Sequence, residues 1–556
     1  MVRKKNGGAK YQAVTDAPNQ QMLSIALHSD EHLSISTLET WLWNAACAIR
    51  GSTDAPKYKD FILPLVFYKR LSDVFDDECY KYTQEDYGDE ELARQFIEDD
   101  HLLALEEGRK PIVRFFIPNQ YHWSKLRNHS KDKLGEFVSD AMTQVAKANP
   151  VLQGVINVRD YNERQSGQRT LDDDPLYKLI EIISRHRLGL NNAEPDILGR
   201  AYEYLLRKFA EGQGQSAGEF YTPQEVGELI AELLDPQPRT RIYDPACGSG
   251  GLLIKVRHLF ELRHPDDRSR APHLYGQELN PTTYAMALMN MFLHDYVDAK
   301  IAIGDTMRRP IFASKGTGLE TFNYVVANPM WNQKNYDETF YDSDPWKRFG
   351  DKVPMPPSNT ADWGWVQLIH ASLNDDGRAA VVLDTGAVSR GSGSQNIDRE
   401  REIRKHFVEK DLIDCVVLLP ENLFYNTTAP GIVLMLNKAK PFERKNQIML
   451  INASRYFVKR KPKNELTREG IVAAAEVYHN WETREKLSRV ITREEAKEKD
   501  YNLSPSQFVE VADELVHRPI EEIVDALMMT KAEREKADAE LTNLLEKLGL
   551  SGETYV

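Results

Sequence analysis

The sequence predicts an α/β protein with an open sheet, preceded by an all-helical domain and followed by a helical extension. A strand-like segment ends at Asp244 in a glycine-rich loop, and a helical stretch follows directly. Three further strand-like segments then alternate with helical ones, an order that is typical of an α/β sheet. Apolar residues recur at helical spacing from Leu38 to about Ala210, which predicts the N-terminal helices.

In the N-terminal part, apolar residues from Leu38 to Ile49 predict one amphipathic helix. The strongly apolar segment Phe61–Leu71 predicts a buried helix. Lys69 and Arg70 are expected to end that helix, where positive charge suits its dipole. The segment 212–217, rich in Gly and Gln, predicts a flexible linker.

The glycine-rich loop lies within the segment Ile242–Leu253. Because glycine has no Cβ, Gly248 and Gly250 allow positive φ angles and let a ligand lie against the backbone. Asp244 stands where the strand ends, which is the edge at which open α/β sheets bind ligands. A tight turn that binds nothing is the alternative interpretation.

Polar residues also follow the next three strand-like segments. Glu278 ends the second one and could accept hydrogen bonds from both hydroxyls of a ribose. Asp305 follows the third and could bind an adenine amino group. The fourth, Phe322–Ala327, runs into Asn328 and Pro329. A full set of polar residues at the strand ends, from Asp244 to Asn328, is hard to explain as solvated loops.

Beyond this unit the sequence predicts four more strands, at Ala379–Leu383, Leu412–Leu419, Gly431–Leu436 and Ile448–Ile451. The basic run Lys459–Lys463 is either a phosphate contact or a solvated loop. The segment Ile520–Leu548 reads as one long helix that packs on a partner or on its own domain.

Cysteine usage and hydropathy indicate the compartment. Cys47, Cys79, Cys247 and Cys415 have no metal-ligand spacing, which argues against a zinc site or disulfide framework and for a reducing cytosol. Cys247 is interpreted as a small residue that fills the turn and not as a nucleophile, because its motif contains no histidine. No segment is apolar enough to span a bilayer, so a cytoplasmic, membrane-free protein is expected.

These motifs resemble the modification subunit of type I restriction-modification systems, an S-adenosylmethionine-dependent N6-adenine DNA methyltransferase family. The likeness rests on Gly218–Pro223, Asp244–Gly251, Asn328–Pro329, Leu373–Leu383, Leu419–Thr428 and the helical segment Trp41–Leu71. The resemblance implies a Rossmann-like methyltransferase sheet. The domains it suggests are a tail at 1–33, a helical domain at 34–211, the linker at 212–217, a catalytic domain at 218–480 and a helical region for partner contact at 481–556.

The resemblance also implies the site residues. Asn328, Pro329 and Trp331 would be catalytic, and Trp331 and Phe424 would stack on a flipped adenine. The cofactor S-adenosylmethionine would be bound by Phe220, Tyr221, Thr222, Asp244, Ala246, Gly248, Ser249, Gly250, Glu278 and Asp305. Alternatively, the Asn-Pro pair is only a turn, Phe424 belongs to the core and the segment at 220–222 is a surface loop.

One position departs from the family pattern. The family usually has an Asn-Pro-Pro-aromatic motif. In this chain, Met330 replaces the second proline and Trp331 stands at the aromatic position. Tryptophan still offers a stacking surface. Without the proline the loop loses a fixed φ angle, so the loop geometry and the rate are in question more than the reaction.

The charge balance bears on the partners. The chain has 85 Asp and Glu against 71 Lys and Arg, a net charge of −14. Lys and Arg supply most non-specific affinity for DNA, so an acidic chain is expected to depend on a partner for its affinity for DNA. The resemblance implies a specificity subunit, a second copy of this chain and a restriction subunit, in a bacterial or archaeal cytoplasm.

Three rival functions remain open at this stage. The same fold could methylate RNA or a protein amide. Met330 could mark a degenerate subunit that binds cofactor and only scaffolds an assembly. A self-sufficient methylase-nuclease is the third, but the sequence shows neither an acid–lysine nuclease cluster nor a helicase P-loop.

Overall fold

The computed structural model describes residues 33–52, 57–82, 90–193 and 222–510 apart from short gaps, and scattered positions in 197–208 and 528–541. The chain forms two compact units, residues 1–509 and 510–556. The predicted tail up to residue 32, the linker at 212–217 and most of the predicted helix Ile520–Leu548 lie outside the described residues.

The N-terminal part is helical, as predicted. Its helices are α1 (Ile35–Ala48), α2 (Tyr58–Tyr82), α3 (Glu90–Glu107), α4 (Trp123–Arg127), α5 (Leu134–Ala148) and α6 (Asp173–Ile183). A small antiparallel hairpin, β1 (Arg164–Gln165) with β2 (Gln168–Arg169), adds the strands that the sequence did not predict. Ser34 caps α1 by accepting a hydrogen bond from the backbone N–H of Thr37 at 3.2 Å.

Helix α2 corrects one prediction. It continues to Tyr82, so Lys69 and Arg70 lie inside the helix and not at its end. Both are buried: Lys69 pairs with Asp73, one turn further on, and the Arg70 guanidinium donates to the backbone carbonyls of Leu188 and Gly189. These tertiary partners, which local sequence does not reveal, allow the charges to be buried.

The part of the chain after the N-terminal helices is built on a nine-stranded mixed sheet. Its strands are β3 (Arg241–Asp244), β4 (His273–Glu278), β5 (Lys300–Ile303), β6 (Phe322–Ala327), β7 (Leu373–Asp384), β8 (Ile413–Leu418), β9 (Gly431–Asn437), β10 (Gln447–Asn452) and β13 (Ser488–Thr492). Across the sheet their order is β13-β10-β8-β9-β7-β6-β3-β4-β5. Only β9 and β13 run against the other strands. The carboxyl ends of β3, β4, β6, β7, β8 and β10 therefore share one edge, and the order reverses between β3 and β6, where such sheets bind ligands.

Strand β9 shows how the sheet is buried on both faces. All of its residues are buried. Val433 and Met435 point into one hydrophobic cluster, whereas Ile432 and Leu434 point into the cluster on the opposite face. Alternation with a period of two places successive side chains on opposite faces, so a continuous apolar run covers both cores.

Helices cover both faces of the sheet. They are α7 (Gln224–Leu234), α8 (Gly251–Arg263), α9 (Pro281–Leu293), α10 (Glu338–Asp342), α11 (Asp362–Ala371), α12 (Arg399–Glu409), α13 (Arg468–Asn480) and α14 (Arg493–Glu498). A short hairpin, β11 (Phe457–Val458) with β12 (Glu465–Leu466), follows β10. This layered arrangement confirms the predicted α/β class with its N-terminal helices.

Helix α9 joins the helical domain to the sheet. Ala287 and Met291 belong to the core of the sheet. Met286 and Phe292 belong to the core of the helical domain, where the rings of Phe292 and Phe115 lie 5.4 Å apart. Since α9 begins just after the end of β4, the helical domain braces that end of the candidate site.

The predicted boundary between catalytic and C-terminal regions at residue 480 requires correction. Strand β13 adds to the edge of the sheet beyond that boundary, pairing with β10 from Ser488 to Thr492. The five-residue strand was too short and too mixed in polarity to stand out in the sequence.

Candidate active site

The glycine-rich loop connects β3 to α8. Gly248 and Gly250 have φ angles of +54° and +83°. The Gly250 N–H donates to the carbonyl of Cys247 at 2.8 Å, and a Cβ at position 250 would lie 2.5 Å from Cε of Met291. The left-handed backbone therefore favours glycine at position 250, whereas a Cβ there would displace only the flexible end of Met291.

Two buried polar side chains hold this loop in place. The Asn290 amide donates to the carbonyl of Ser249 at 2.9 Å. The Thr306 hydroxyl donates to the carbonyl of Pro245 at 2.6 Å. Sequence reasoning missed both residues, because neither stands in a motif and their partners lie far away in the chain.

Asp244 is buried at the end of β3, with 1% of its surface exposed. Its carboxylate accepts a hydrogen bond from the backbone N–H of Ala246 at 3.0 Å. Burial raises the pKa of Asp244 to about 8, and the nearby charge of Glu278 adds to the increase. The carboxyl group is thus poised to ionise when a cation arrives.

Glu278 lies at the end of β4 and bridges two loops. One carboxylate oxygen accepts from the N–H of Gly248 at 2.9 Å, and the other accepts from the N–H of Asn280 at 2.8 Å. Asn280 in turn caps α9 by accepting from the N–H of Thr282 at 2.8 Å. The acid is therefore fixed beside the glycine loop, as the ribose prediction requires.

Asp305 follows β5, and its carboxylate is paired with an arginine. Arg308 donates to it from its backbone N–H at 3.1 Å and from its guanidinium at 2.9 Å. The same guanidinium donates to the carbonyl of Asn335 at 3.1 Å and lies 5.0 Å from the ring centre of Tyr336. A ligand bound at Asp305 would share the carboxylate with Arg308, so adenine binding there stays a prediction.

Asn328 lies at the end of β6 and is 7% exposed. Its amide nitrogen donates to the hydroxyl of Thr222 at 3.0 Å, and its carbonyl oxygen accepts from the indole N–H of Trp331 at 3.2 Å. That N–H also contacts the carbonyl of Val382 at 3.2 Å. These partners fix the direction of the Asn328 carbonyl oxygen. Of the segment predicted to close over the cofactor, Thr222 is described, and Phe220 and Tyr221 lie outside the described residues.

The two aromatic residues expected to sandwich a base lie together. The rings of Trp331 and Phe424 meet edge to face with centres 4.8 Å apart, and both side chains are buried. Gly431 lies against them, and a Cβ there would approach Phe424 to 2.6 Å and Trp331 to 3.0 Å. A base could enter between the rings only if they separated, so the stacking role stays a prediction.

The residue after Trp331 is clamped, a feature that sequence reasoning missed. Asn332 has a φ of +55°, and its backbone N–H donates to the carboxylate of Asp362 at 2.8 Å. Its side chain contacts Asp384 at 2.5 Å and accepts from Arg390 at 3.1 Å. An asparagine in a loop is too common to have signalled this role.

Arg390 is the centre of the clamp. Its guanidinium pairs with Asp362, Asp384 and Glu400. Asp362 is fully buried; burial raises the pKa of its carboxyl group, and the charge of Arg390 opposes the rise. The carboxylates draw the starts of α11 and α12 and the end of β7 onto the loop. They restrain the loop just after Met330 and Trp331.

Cys247 packs into the turn. A Cβ at Gly276 would lie 2.9 Å from its sulfur, and burial raises the pKa of the Cys247 thiol. The neutral thiol is favoured, in keeping with a residue that fills space. Within the described residues, no group of three or more His, Cys, Asp or Glu side chains could hold a metal ion. None of the described helices combines the length and apolar character that crossing a membrane takes.

Comparison with known proteins identifies the family to which this chain belongs. A family model described as N-6 DNA Methylase matches residues 193–516, more than half of the chain. A second model, described as the HsdM N-terminal domain, matches residues 38–183. The two matches together cover both the helical domain and the sheet that carries the candidate site.

Individual relatives agree with these models. The type I restriction enzyme MjaVIII methylase subunit of Methanocaldococcus jannaschii is 36% identical over 505 residues, which cover 87% of this chain and 80% of the relative. The HindI methylase subunit of Haemophilus influenzae is 31% identical over 398 residues, covering 68% of this chain and 84% of the relative. The crystal structure of a type I restriction-modification methyltransferase subunit from Streptococcus thermophilus superposes with a TM-score of 0.68 at 27% identity, covering 86% of this chain and 100% of that one. This chain therefore belongs to the N-6 DNA methylase family, in the group of type I restriction-modification methylase subunits.

Proposed function

We propose that this chain transfers a methyl group from S-adenosylmethionine to N6 of an adenine flipped out of DNA, as the modification subunit of a type I restriction-modification complex. The observation that carries the proposal is the shared edge of the sheet, at which Asp244, Glu278 and Asn328 follow three neighbouring strands. The acids proposed to bind the cofactor and the amide proposed to bind the base therefore lie along one edge of the sheet.

The residues present fit the cofactor. Gly248 leaves bare backbone beside the carboxylates, and Glu278 is fixed with one oxygen on the N–H of Gly248 and the other on the N–H of Asn280. Asp244 would face the methionine end, where a cationic group would offset the cost of its buried charge. S-adenosylmethionine, when bound, supplies the electrophilic methyl group.

Asn328 would activate the target amine without a titrating base. The lone pair of an adenine amino group is delocalised into the ring, so two acceptors must draw its hydrogens aside. The side-chain oxygen of Asn328 and the carbonyl of Pro329 are the acceptors in this proposal. The amide oxygen already accepts from Trp331 and has a second lone pair for the amine. Thr222, by holding the amide nitrogen, keeps the oxygen in this direction.

The edge-to-face pair of Trp331 and Phe424 would open to admit the base. An aromatic pair contributes about 0.5–1.5 kcal/mol beyond its buried area. Stacking of a base on an aromatic side chain contributes roughly 1–3 kcal/mol. Replacing the contact between the two rings by stacking on a base would therefore cost no free energy or be favourable. Between turnovers the closed pair of rings would cover the apolar site.

The clamp at Asn332 argues against a degenerate scaffold. A scaffold would have no need for four charged groups, Asp362, Asp384, Arg390 and Glu400, to converge on the loop after Trp331. Burying such groups is costly unless they are paired. Their placement supports a catalytic role for the loop after Trp331. The charged groups would fix this loop although Met330 replaces the second proline.

Replacing Asn328 tests the proposal. Asn328→Ala should abolish formation of N6-methyladenine, because the amine loses one acceptor, yet leave cofactor affinity within a few-fold of wild type. Methylation is measured by mass spectrometry of digested DNA, and cofactor binding by calorimetry. Asn480→Ala, at the exposed end of α13, is the matched control and should keep full activity. Retained methylation in Asn328→Ala would show that the amide is not the key acceptor.

The partners form the second part of the proposal. A net charge of −14 suits a subunit that relies on a specificity subunit for its grip on DNA. Two copies of this chain for each specificity subunit, and a restriction subunit for cleavage, complete the proposed complex. Deleting Ile520–Val556 should impair co-purification with the specificity subunit far more than cofactor binding. Full-rate methylation of one defined sequence by the chain alone would instead indicate a solitary methylase.

A further inference from the structure

We infer that the β11–β12 hairpin is a contact surface for the DNA backbone beside the target base, an inference that rests on the proposed function. The hairpin runs from Phe457 to Leu466 and carries Lys459, Arg460 and Lys461 on its exposed side. The inference depends on where the hairpin lies, what holds it there and what charge it carries.

The hairpin leaves the sheet at the edge of the candidate site. It follows β10, which runs parallel to β8, and the N–H of Ala453 donates to the carbonyl of Leu418 at 2.9 Å. The ends of β10 and β8 are therefore level. That edge also carries Asp244 and Asn328, so the hairpin rises on the side of the sheet where a flipped base would enter.

Hydrogen bonds tie the hairpin to the loop that carries Phe424. The Lys463 ammonium donates to the side-chain oxygen of Asn422 at 3.0 Å and to the carbonyl of Thr427 at 3.1 Å. The backbone N–H of Asn464 donates to the carbonyl of Asn422 at 2.9 Å. Lys463 thus holds both ends of the loop on which Phe424 sits.

A short series of contacts leads from this loop to the catalytic asparagine. Phe424 meets Trp331 with ring centres 4.8 Å apart, and the Trp331 indole donates to Asn328 at 3.2 Å. The loop that the hairpin holds is therefore linked through two side chains, Phe424 and Trp331, to the group proposed to hold the target amine. A nucleotide flipped between Trp331 and Phe424 would bring its neighbouring phosphates close to this hairpin.

The charge of the segment is unusual for this chain. Between Glu443 and Glu465 there is no acidic residue, whereas the chain as a whole has a net charge of −14. The basic residues in that interval are Arg444, Lys445, Arg455, Lys459, Arg460, Lys461 and Lys463. Arg460 contacts Glu465 through Nε at 3.1 Å, an exposed pair that costs little to rearrange. Exposed Lys and Arg side chains are the groups that neutralise DNA phosphates.

The test neutralises the exposed charges. The triple variant Lys459→Gln, Arg460→Gln, Lys461→Gln is prepared in the full chain, co-expressed with its specificity subunit. The matched control, Arg239→Gln, Lys300→Gln, Lys410→Gln, removes the same charge at the opposite edge of the sheet. Arg239 precedes β3, Lys300 begins β5 and Lys410 precedes β8, and all three residues are exposed.

The readout is the salt dependence of DNA affinity. Each phosphate contact contributes about 0.9 to the slope of log affinity against log salt, so the triple variant should lose about 2–3 from the slope. Affinity should fall by about the same factor for target and non-target DNA, because phosphate contacts carry no sequence information. The control variant should keep the wild-type slope. Methylation at saturating DNA should stay within about two-fold of wild type, since the three residues touch neither base nor cofactor.

Two results would overturn the inference. One is a salt slope of the triple variant equal to that of the control. The other is loss of the specificity subunit on purification with an unchanged slope, which would assign the hairpin to a protein partner. A wild-type complex that binds DNA but forms no N6-methyladenine would reject the proposed function, while the comparison of slopes would still decide the role of the hairpin.

Discussion

The buried carboxyl group of Asp244 predicts that cofactor binding releases a proton. Burial raises its pKa to about 8, so at pH 7 about nine-tenths of the protein holds this group protonated. A cationic methionine end favours the carboxylate, and the proton must leave when the cofactor binds. Binding at pH 7 should therefore release about 0.9 proton from Asp244.

The direction of the pH dependence follows from the raised pKa. Below about pH 8 the bound proton competes with the cofactor, so affinity should rise as the pH increases and level off above the pKa of Asp244. With a pKa of about 8, affinity should fall about 50-fold between pH 8 and pH 6, equal to about 2.3 kcal/mol.

Calorimetry in buffers of different ionisation enthalpy measures the released protons directly. An α-amino group on the ligand titrates near pH 7.7–8.0 and would add its own protons. Asp244→Asn is the matched control, because it keeps the shape of the side chain and removes the titrating group. The same ligand is used for both proteins. The difference between wild type and this variant isolates Asp244. Equal proton release by the two proteins at pH 7 would refute the reasoning.

Two further predictions concern the loops on either side of the site. Gly248→Ala and Gly250→Ala should each destabilise the protein by roughly 1–2 kcal/mol because of their positive φ angles. The Cβ at position 250 meets only the flexible end of the Met291 side chain, so the two variants should have similar denaturation midpoints; a much lower midpoint for Gly250→Ala would show that Met291 does not move aside. Arg390→Met should cost roughly 3–5 kcal/mol by leaving Asp362 and Glu400 buried without their cation, and kcat should fall more than cofactor affinity. The exposed control Arg489→Met should cost less than about 1 kcal/mol. Equal effects of the two substitutions on stability and kcat would contradict the role proposed for the clamp.

Local patterns in the sequence determined the strand–loop–helix unit and the polar residues at the strand ends. Strands β4 and β6 were predicted with the bounds that the structure shows, His273–Glu278 and Phe322–Ala327. Apolar runs, period-two alternation and glycine requirements act over a few neighbouring residues, so the chain itself records them. The family also followed from motifs of this kind, because each motif is contiguous.

Tertiary structure alone decided which distant side chains meet. Trp331 and Phe424 are far apart in the chain, yet they pair over Gly431 because β9 lies next to β7 in the sheet. Arg390 reaches Asn332 for the same kind of reason, since its segment follows the end of β7. Lys69 and Arg70 are buried inside α2 only because Asp73 and the carbonyls of Leu188 and Gly189 receive them. Such contacts depend on strand order and helix placement, and periodicity within a segment carries no information about its neighbours in space.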